Sequence, residues 1–134
     1  MTFFTVTNMI FIDTTYFIGL LIPKDNWQKK VDNVHIPNEQ LVINNLVLSE
    51  VLNIVSKRSK LKITDVYNTL KENCQIVCLS NDDYLTAMEL CDYYNNSINY
   101  SDCLILTTMQ KLGINKIVTF DEGFKKVNNL TIID

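Results

Sequence analysis

Short apolar runs alternate with longer amphipathic stretches along most of this chain. Met9, Ile10, Phe11 and Ile12 form a continuous apolar run, as expected of a strand covered on both faces of a parallel sheet. Similar runs occur at 41–43, 76–79, 117–120 and 130–133. Between them, apolar residues recur with helical spacing over 16–22, 25–34, 46–58, 63–72, 82–93 and 101–112. In 46–58, for example, they fall at Val47, Leu48, Val51, Leu52, Ile54 and Val55. Pro23 stops the first helix or opens the second, Thr64 or Asp65 can cap the fourth, and Ser101 can cap the last, which Gly113 ends. This alternation predicts an α/β fold: a three-layer α/β/α sandwich around a parallel sheet of four or five strands, joined by right-handed crossovers. Ligands of such sheets bind outside the carboxyl ends of the strands, where strand order reverses.

With 134 residues, 3 glycines and 2 prolines, the chain reads as one domain over 1–134, with 1–8 a short extension before the first strand. No run reaches the ~18 apolar residues of a membrane span. The apolar N-terminus has no basic residue before Lys24, unlike a signal peptide. A soluble, cytoplasmic protein is expected. Cys74, Cys78, Cys91 and Cys103 form no CxxC pair, and the one histidine, His35, lies far from them, so reduced thiols are expected rather than a zinc site. The net charge of -3 weighs against a nucleic-acid binder without excluding one, because clustering matters more than the sum. The densest basic run is Lys57, Arg58, Lys60 and Lys62. It reads equally as a solvated helix end or as a surface that tracks phosphates, with Lys57, Arg58 and Lys60 as candidate RNA contacts.

The candidate chemistry lies in four acids. Asp13 and Asp121 directly follow predicted strands, while Glu50 and Asp102 lie inside predicted helices. Asp102 shares a helical face with Ile105, Leu106 and Met109, where an ionised carboxylate needs compensation. Taken singly, Asp13 could be a helix cap, Asp121 a turn acid beside Gly123, and Glu50 a surface partner of Lys57 or Arg58. Together they would converge on one sheet edge. Two carboxylates about 4 Å apart repel by about 4 kcal/mol at an effective dielectric of 20. Hard divalent cations, Mg²⁺ or Mn²⁺, suit such an all-oxygen set and commonly act on phosphates. No phosphate-cradling glycine loop is present, which argues against nucleoside-triphosphate use but not against phosphodiester hydrolysis.

These motifs resemble the PIN-domain nucleases: Ile12-Asp13-Thr14-Thr15, Leu48-Ser49-Glu50-Val51-Leu52-Asn53, Tyr100-Ser101-Asp102-Cys103-Leu104 and Thr119-Phe120-Asp121-Glu122-Gly123-Phe124. Within that family the chain is most similar to the small VapC-type toxins of toxin–antitoxin pairs. The resemblance runs from about Met9 to the C-terminus and implies a Mg²⁺- or Mn²⁺-dependent endoribonuclease. It assigns metal binding and catalysis to Asp13, Glu50, Asp102 and Asp121, with Thr15 and Thr119 orienting water or phosphate behind them. It further implies an RNA substrate, a homodimer, and a small antitoxin whose segment lies over the active site. Thr15 stands where Asn or Ser is commoner, and the chain is less basic than many RNA-cleaving relatives.

Two other readings are open. A receiver-like phosphoacceptor module would share the strand-end acids, but it needs a second acid beside Asp13 and a late lysine, and Ile12 and the final Asp134 supply neither. A catalytically dead PIN domain could serve only as a binding module. Tyr16 and Trp27 are candidate base-stacking residues or core. Tyr93, Tyr94 and Tyr100 are candidate core, dimer or antitoxin contacts.

Overall fold

The computed structural model describes residues 8–134, so the expected N-terminal extension lies, apart from Asn8, outside the described residues. The strands are β1 (Met9–Ile12), β2 (Gln40–Asn44), β3 (Cys74–Val77), β4 (Lys116–Val118) and β5 (Thr131–Ile133). The helices are α1 (Thr14–Leu21), α2 (Gln28–Asn33), α3 (Asn45–Arg58), α4 (Ile63–Asn73), α5 (Asn81–Tyr93) and α6 (Tyr100–Leu112). A 3-10 turn spans Glu122–Lys126. All strand pairings are parallel, in the order β3-β2-β1-β4-β5.

That order places the reversal between β1 and β4. The chain builds outward from β1 through β2 to β3, then crosses back to the other side of β1. With right-handed crossovers, the first two connections (α1 to α4) share one face and the third (α5 and α6) covers the other. Contacts of α1 with α2 and α3, of α3 with α4, and of α5 with α6 fit these layers. β1 is the sheet's centre, and Ile10, Phe11 and Ile12 are essentially inaccessible to water.

Two local devices fix the layers. Asn44 ends β2 and caps α3 by accepting from the Val47 amide at 2.9 Å, while its own amide donates to Thr108 Oγ1 of α6 at 3.1 Å. One buried side chain thus ties the sheet to both helical layers. Every residue of α6 from Asp102 to Met109 is buried. Its buried hydroxyls are satisfied locally: Thr107 donates to the Cys103 carbonyl and Thr108 to that of Leu104. On the other face, Gly19 lets α1 pack closely on α2; a Cβ there would meet Val31 Cγ2 at 2.7 Å and the Trp27 carbonyl oxygen at 2.9 Å.

Several boundaries differ from the pattern-based expectation. The second helix is only Gln28–Asn33, because Asp25 is spent on a turn, accepting from the Trp27 amide. β4 ends at Val118; the Thr119 amide still donates to the Ile133 carbonyl of β5, and Phe120 leaves the sheet to form the site. The expected caps at Thr64 or Asp65 and at Ser101 are not used: α4 starts after Lys62 and α6 after Asn99, neither with a side-chain cap. The four cysteines are free. Among the described residues, no helix is long and apolar enough to cross a membrane.

Gly19→Ala is expected to lower stability by about 1–3 kcal/mol, the usual range for overpacking. Urea unfolding followed by circular dichroism measures this; unchanged stability would mean that α2 is not held tightly against α1.

Candidate active site

The acids stand where the strand order reverses. Asp13 follows β1 as the N-cap of α1, accepting from the Thr14 amide at 2.7 Å through Oδ1. Its Oδ2 accepts from Thr119 Oγ1 at 2.7 Å and from Thr15 Oγ1 at 3.1 Å. Thr119 Oγ1 in turn accepts from the Asp121 amide at 3.0 Å, and Thr15 Oγ1 from the Phe120 amide at 2.9 Å. Two hydroxyls therefore stitch the end of β1 to the loop that follows β4. Asp121 accepts from the Gly123 amide at 2.9 Å. A Cβ on Gly123 would come within 3.2 Å of Asp121 Oδ1 and 3.6 Å of Asp102 Oδ2, so the missing side chain leaves room for both carboxyls.

Asp102 arrives from the first turn of α6 and is 6% exposed. Its carboxyl is pushed up to about 8 by burial, by the Asp121 carboxylate within hydrogen-bonding reach, and by the charges of Asp121, Asp13 and Glu50. Burial likewise raises the Asp13 carboxyl, against the hydrogen bonds from Thr119, Thr14 and Thr15. Glu50 lies in the second turn of α3 and accepts from Thr14 Oγ1 at 2.9 Å. It takes part in none of the four ion pairs among the described residues, so it is not the surface partner of Lys57 or Arg58.

The structure thus brings Asp13, Glu50, Asp102 and Asp121 within electrostatic reach of one another, with Thr15 and Thr119 bonded to Asp13. Cap and turn roles coexist with this gathering, since Asp13 and Asp121 also serve the backbone around them. Sequence reasoning passed over Thr14, whose hydroxyl joins the β1 end to Glu50; its only signal was a hydroxyl directly after the strand-end Asp. The basic run lies elsewhere. Lys57 is seven residues beyond Glu50, about 10 Å along α3. Arg58 is paired with Asp25 at 2.8 Å, and Lys60 is exposed in the following turn.

Tyr16 and Trp27 both pack on Phe120, with ring centroids 6.4 and 6.3 Å apart from it. Tyr94 and Tyr100 flank the small apolar cluster around Ala87 and Cys103, and Tyr93 is exposed. His35 is exposed in the connection to β2. An apolar groove of about 480 Å³, lined by Ile12, Tyr16, Phe17, Leu20, Leu61 and Val66 among others, has none of the four acids in its lining.

The family model for the PIN domain matches residues 10–130. This chain belongs to the PIN-domain family. The match leaves the receiver-like alternative without support. The PIN domain here shares its fold with VapC20 of Mycobacterium tuberculosis, a toxin that cleaves the sarcin–ricin loop, at 17% identity and TM-score 0.77 over 93% of this chain and 99% of that one. It is also similar to a chain of the VapBC2 complex of Rickettsia felis bound to a promoter DNA fragment, at 19% identity and TM-score 0.66 over 92% of this chain and 96% of that one. A toxin–antitoxin complex from Klebsiella pneumoniae gives 19% identity and TM-score 0.68, over 91% of this chain and 95% of that one. No curated protein matches the sequence.

The donor chemistry of this PIN domain fits a hard divalent cation. All the candidate donors are oxygens, and burial, together with the neighbouring carboxylates, favours the protonated form of Asp102. Among the described residues, no three acidic, histidine or cysteine side chains close into a ready-made cage. Mg²⁺ keeps several waters in its shell, so its carboxylate ligands need not close into a cage before it binds.

Linkage gives a test of the strain. Asp102 ionises near 3.8 when unconstrained and near 8 in the fold. Between those values the folded chain holds a proton that the unfolded chain has lost. The group's contribution to stability is therefore complete below about pH 4 and is lost as pH rises through about 8. Without divalent ions, Asp102→Asn is expected to match the parent near pH 4 and to melt about 4 °C or more above it at pH 8. Thermal melts in EDTA across that range measure this, and a gap that narrows towards pH 8 would contradict the assignment.

Proposed function

We propose that this PIN domain is a metal-dependent endoribonuclease, the toxin of a toxin–antitoxin pair acting inside the cell. The observation that carries the reading is the gathering of Asp13, Glu50, Asp102 and Asp121 at the strand-order reversal. Family membership and the fold shared with VapC toxins support it.

Asp13, Asp102 and Asp121 would hold the principal Mg²⁺ or Mn²⁺, with Glu50 completing the site or holding a second ion. Bound there, the ion would activate water and neutralise charge on the phosphoryl oxygens. The chain's own residues prepare for this. Thr15 and Thr119 fix the Asp13 carboxylate through Oδ2, and Thr14 fixes Glu50 through Oε1. Asp13 and Glu50 are thus oriented before any ligand arrives, which limits the reorganisation needed on binding. No histidine base is required.

For partners, we take an antitoxin segment and a second copy of the chain. Leu20 and Leu61, half-exposed at the apolar groove, offer surface that an antitoxin segment would cover. Tyr84, Leu85 and Met88 make an exposed apolar patch on α5 that a second copy would cover.

Asp13→Asn and Asp102→Asn are each expected to lower Mg²⁺-dependent cleavage of single-stranded RNA by about a hundredfold or more, the scale of losing an electrostatic catalytic group. EDTA should abolish cleavage, and Mg²⁺ or Mn²⁺ should restore it. Undiminished cleavage by either variant, or cleavage indifferent to EDTA, would end the proposal. Thr119→Ala should cost about 10- to 100-fold in rate and, because its buried hydroxyl also accepts the Asp121 amide, about 1–3 kcal/mol in stability; paired rate measurements and melts check this.

A further inference from the structure

An RNA-cleaving site built of carboxylates needs a cation beside it, and this chain is acidic overall, with a net charge of -3. The two lysines that follow Asp121 are both engaged. Lys125 is paired with Glu122 at 2.6 Å, and Lys126 donates to the Ser97 carbonyl at 2.8 Å. Lys57 lies at the far end of α3 and Lys60 in the turn beyond it, and Arg58 is neutralised by Asp25.

Lys30 of α2 differs from all of these. Its side chain is exposed, and its ammonium sits 5.7 Å from the centroid of the Phe120 ring. It takes part in no ion pair among the described residues, although its charge is felt by Glu122 and it shares a small pocket with Asn33 and Asp134. Its seat is tied directly to the acids. Phe120 immediately precedes Asp121, and its amide donates to Thr15 Oγ1, which donates to Asp13. Tyr16 and Trp27 brace the same ring, and the close packing at Gly19 sets α2 against α1. An aromatic face holds a lysine in place without consuming its charge, leaving the three N–H donors for an anion.

We infer that Lys30, seated on Phe120, is a phosphate-binding residue that holds the RNA backbone against the acidic edge next to Asp121. The inference rests on the nuclease reading above and specifies where its substrate lies. RNA would run across the carboxyl ends of β1 and β4 towards α2, rather than along the exposed end of α3. Lys30 would touch a phosphate flanking the cleaved one and act on binding rather than on chemistry.

The test compares Lys30→Ala, Lys30→Arg and Lys60→Ala with the parent chain on a single-stranded RNA oligonucleotide. Cleavage is followed in Mg²⁺, and binding is followed by fluorescence anisotropy in EDTA. For Lys30→Ala, KM is expected to rise about fivefold, the upper range for one exposed charge pair, with kcat unchanged. The slope of log affinity against log salt should fall by about 0.7, the release expected from one phosphate contact on a single strand. Lys30→Arg should restore both, and Lys60→Ala should change neither. Unchanged KM and salt slope in Lys30→Ala would overturn the inference. So would a loss confined to kcat, or an equal effect from Lys60→Ala. If the parent chain binds RNA through Lys30 without cleaving it, the nuclease reading fails and this inference stands. If the parent neither binds nor cleaves RNA, both fall.

Discussion

Like charge held at short range is the constraint around which this molecule is organised. Carboxylates from the β1 end, α3, α6 and the loop after β4 meet at the point where strand order reverses. Burial, together with their repulsion, raises the Asp102 carboxyl to about 8. A structure built only for stability would put an apolar side chain at that position, since the rest of the same helical face is apolar and buried. The fold holds an arrangement that works against it and that a divalent cation would relieve.

Neutral hydroxyls, rather than cations, hold the carboxylates apart and in place. Thr14, Thr15 and Thr119 donate to Asp13 or Glu50, and the Thr15 and Thr119 oxygens also accept backbone amides of the loop after β4. A lysine in their place would neutralise the site and close it to metal. Hydroxyls orient an acid without cancelling its charge, so attraction for an incoming cation is kept. Gly123 serves the same end by leaving space where two carboxyls converge.

The rest of the scaffold gives these few contacts their rigidity. Asn44 joins the sheet to α3 and α6, and α6 is buried along most of its length, so the helix carrying Asp102 has little freedom to retreat. On the opposite face, close packing at Gly19 sets α2, and with it Lys30, beside the loop that bears Asp121. The α5 patch lies away from this framework, whereas the groove borders it through Ile12 and Tyr16.

The sequence by itself determined the alternation of strands and helices, the parallel sheet, and the placing of Asp13 at a strand end; Asp121, expected directly after a strand, stands three residues past the end of β4. Those features follow from periodicity and neighbouring residues, which are local properties. It also marked Asp102, because a charge on an apolar helical face conflicts with its own neighbours. Glu50 stood at the margin of its helix's apolar arc and could equally have met Lys57 or Arg58; only the bond from Thr14, 36 residues away, decided between site and surface. Tertiary structure alone likewise showed that Phe120 leaves the sheet, that Arg58 is spent on Asp25, and that Lys30 reaches the Phe120 ring. These outcomes depend on which distant segments the crossovers bring together. Hydrophobic periodicity records which face of an element is buried, not what that face is buried against.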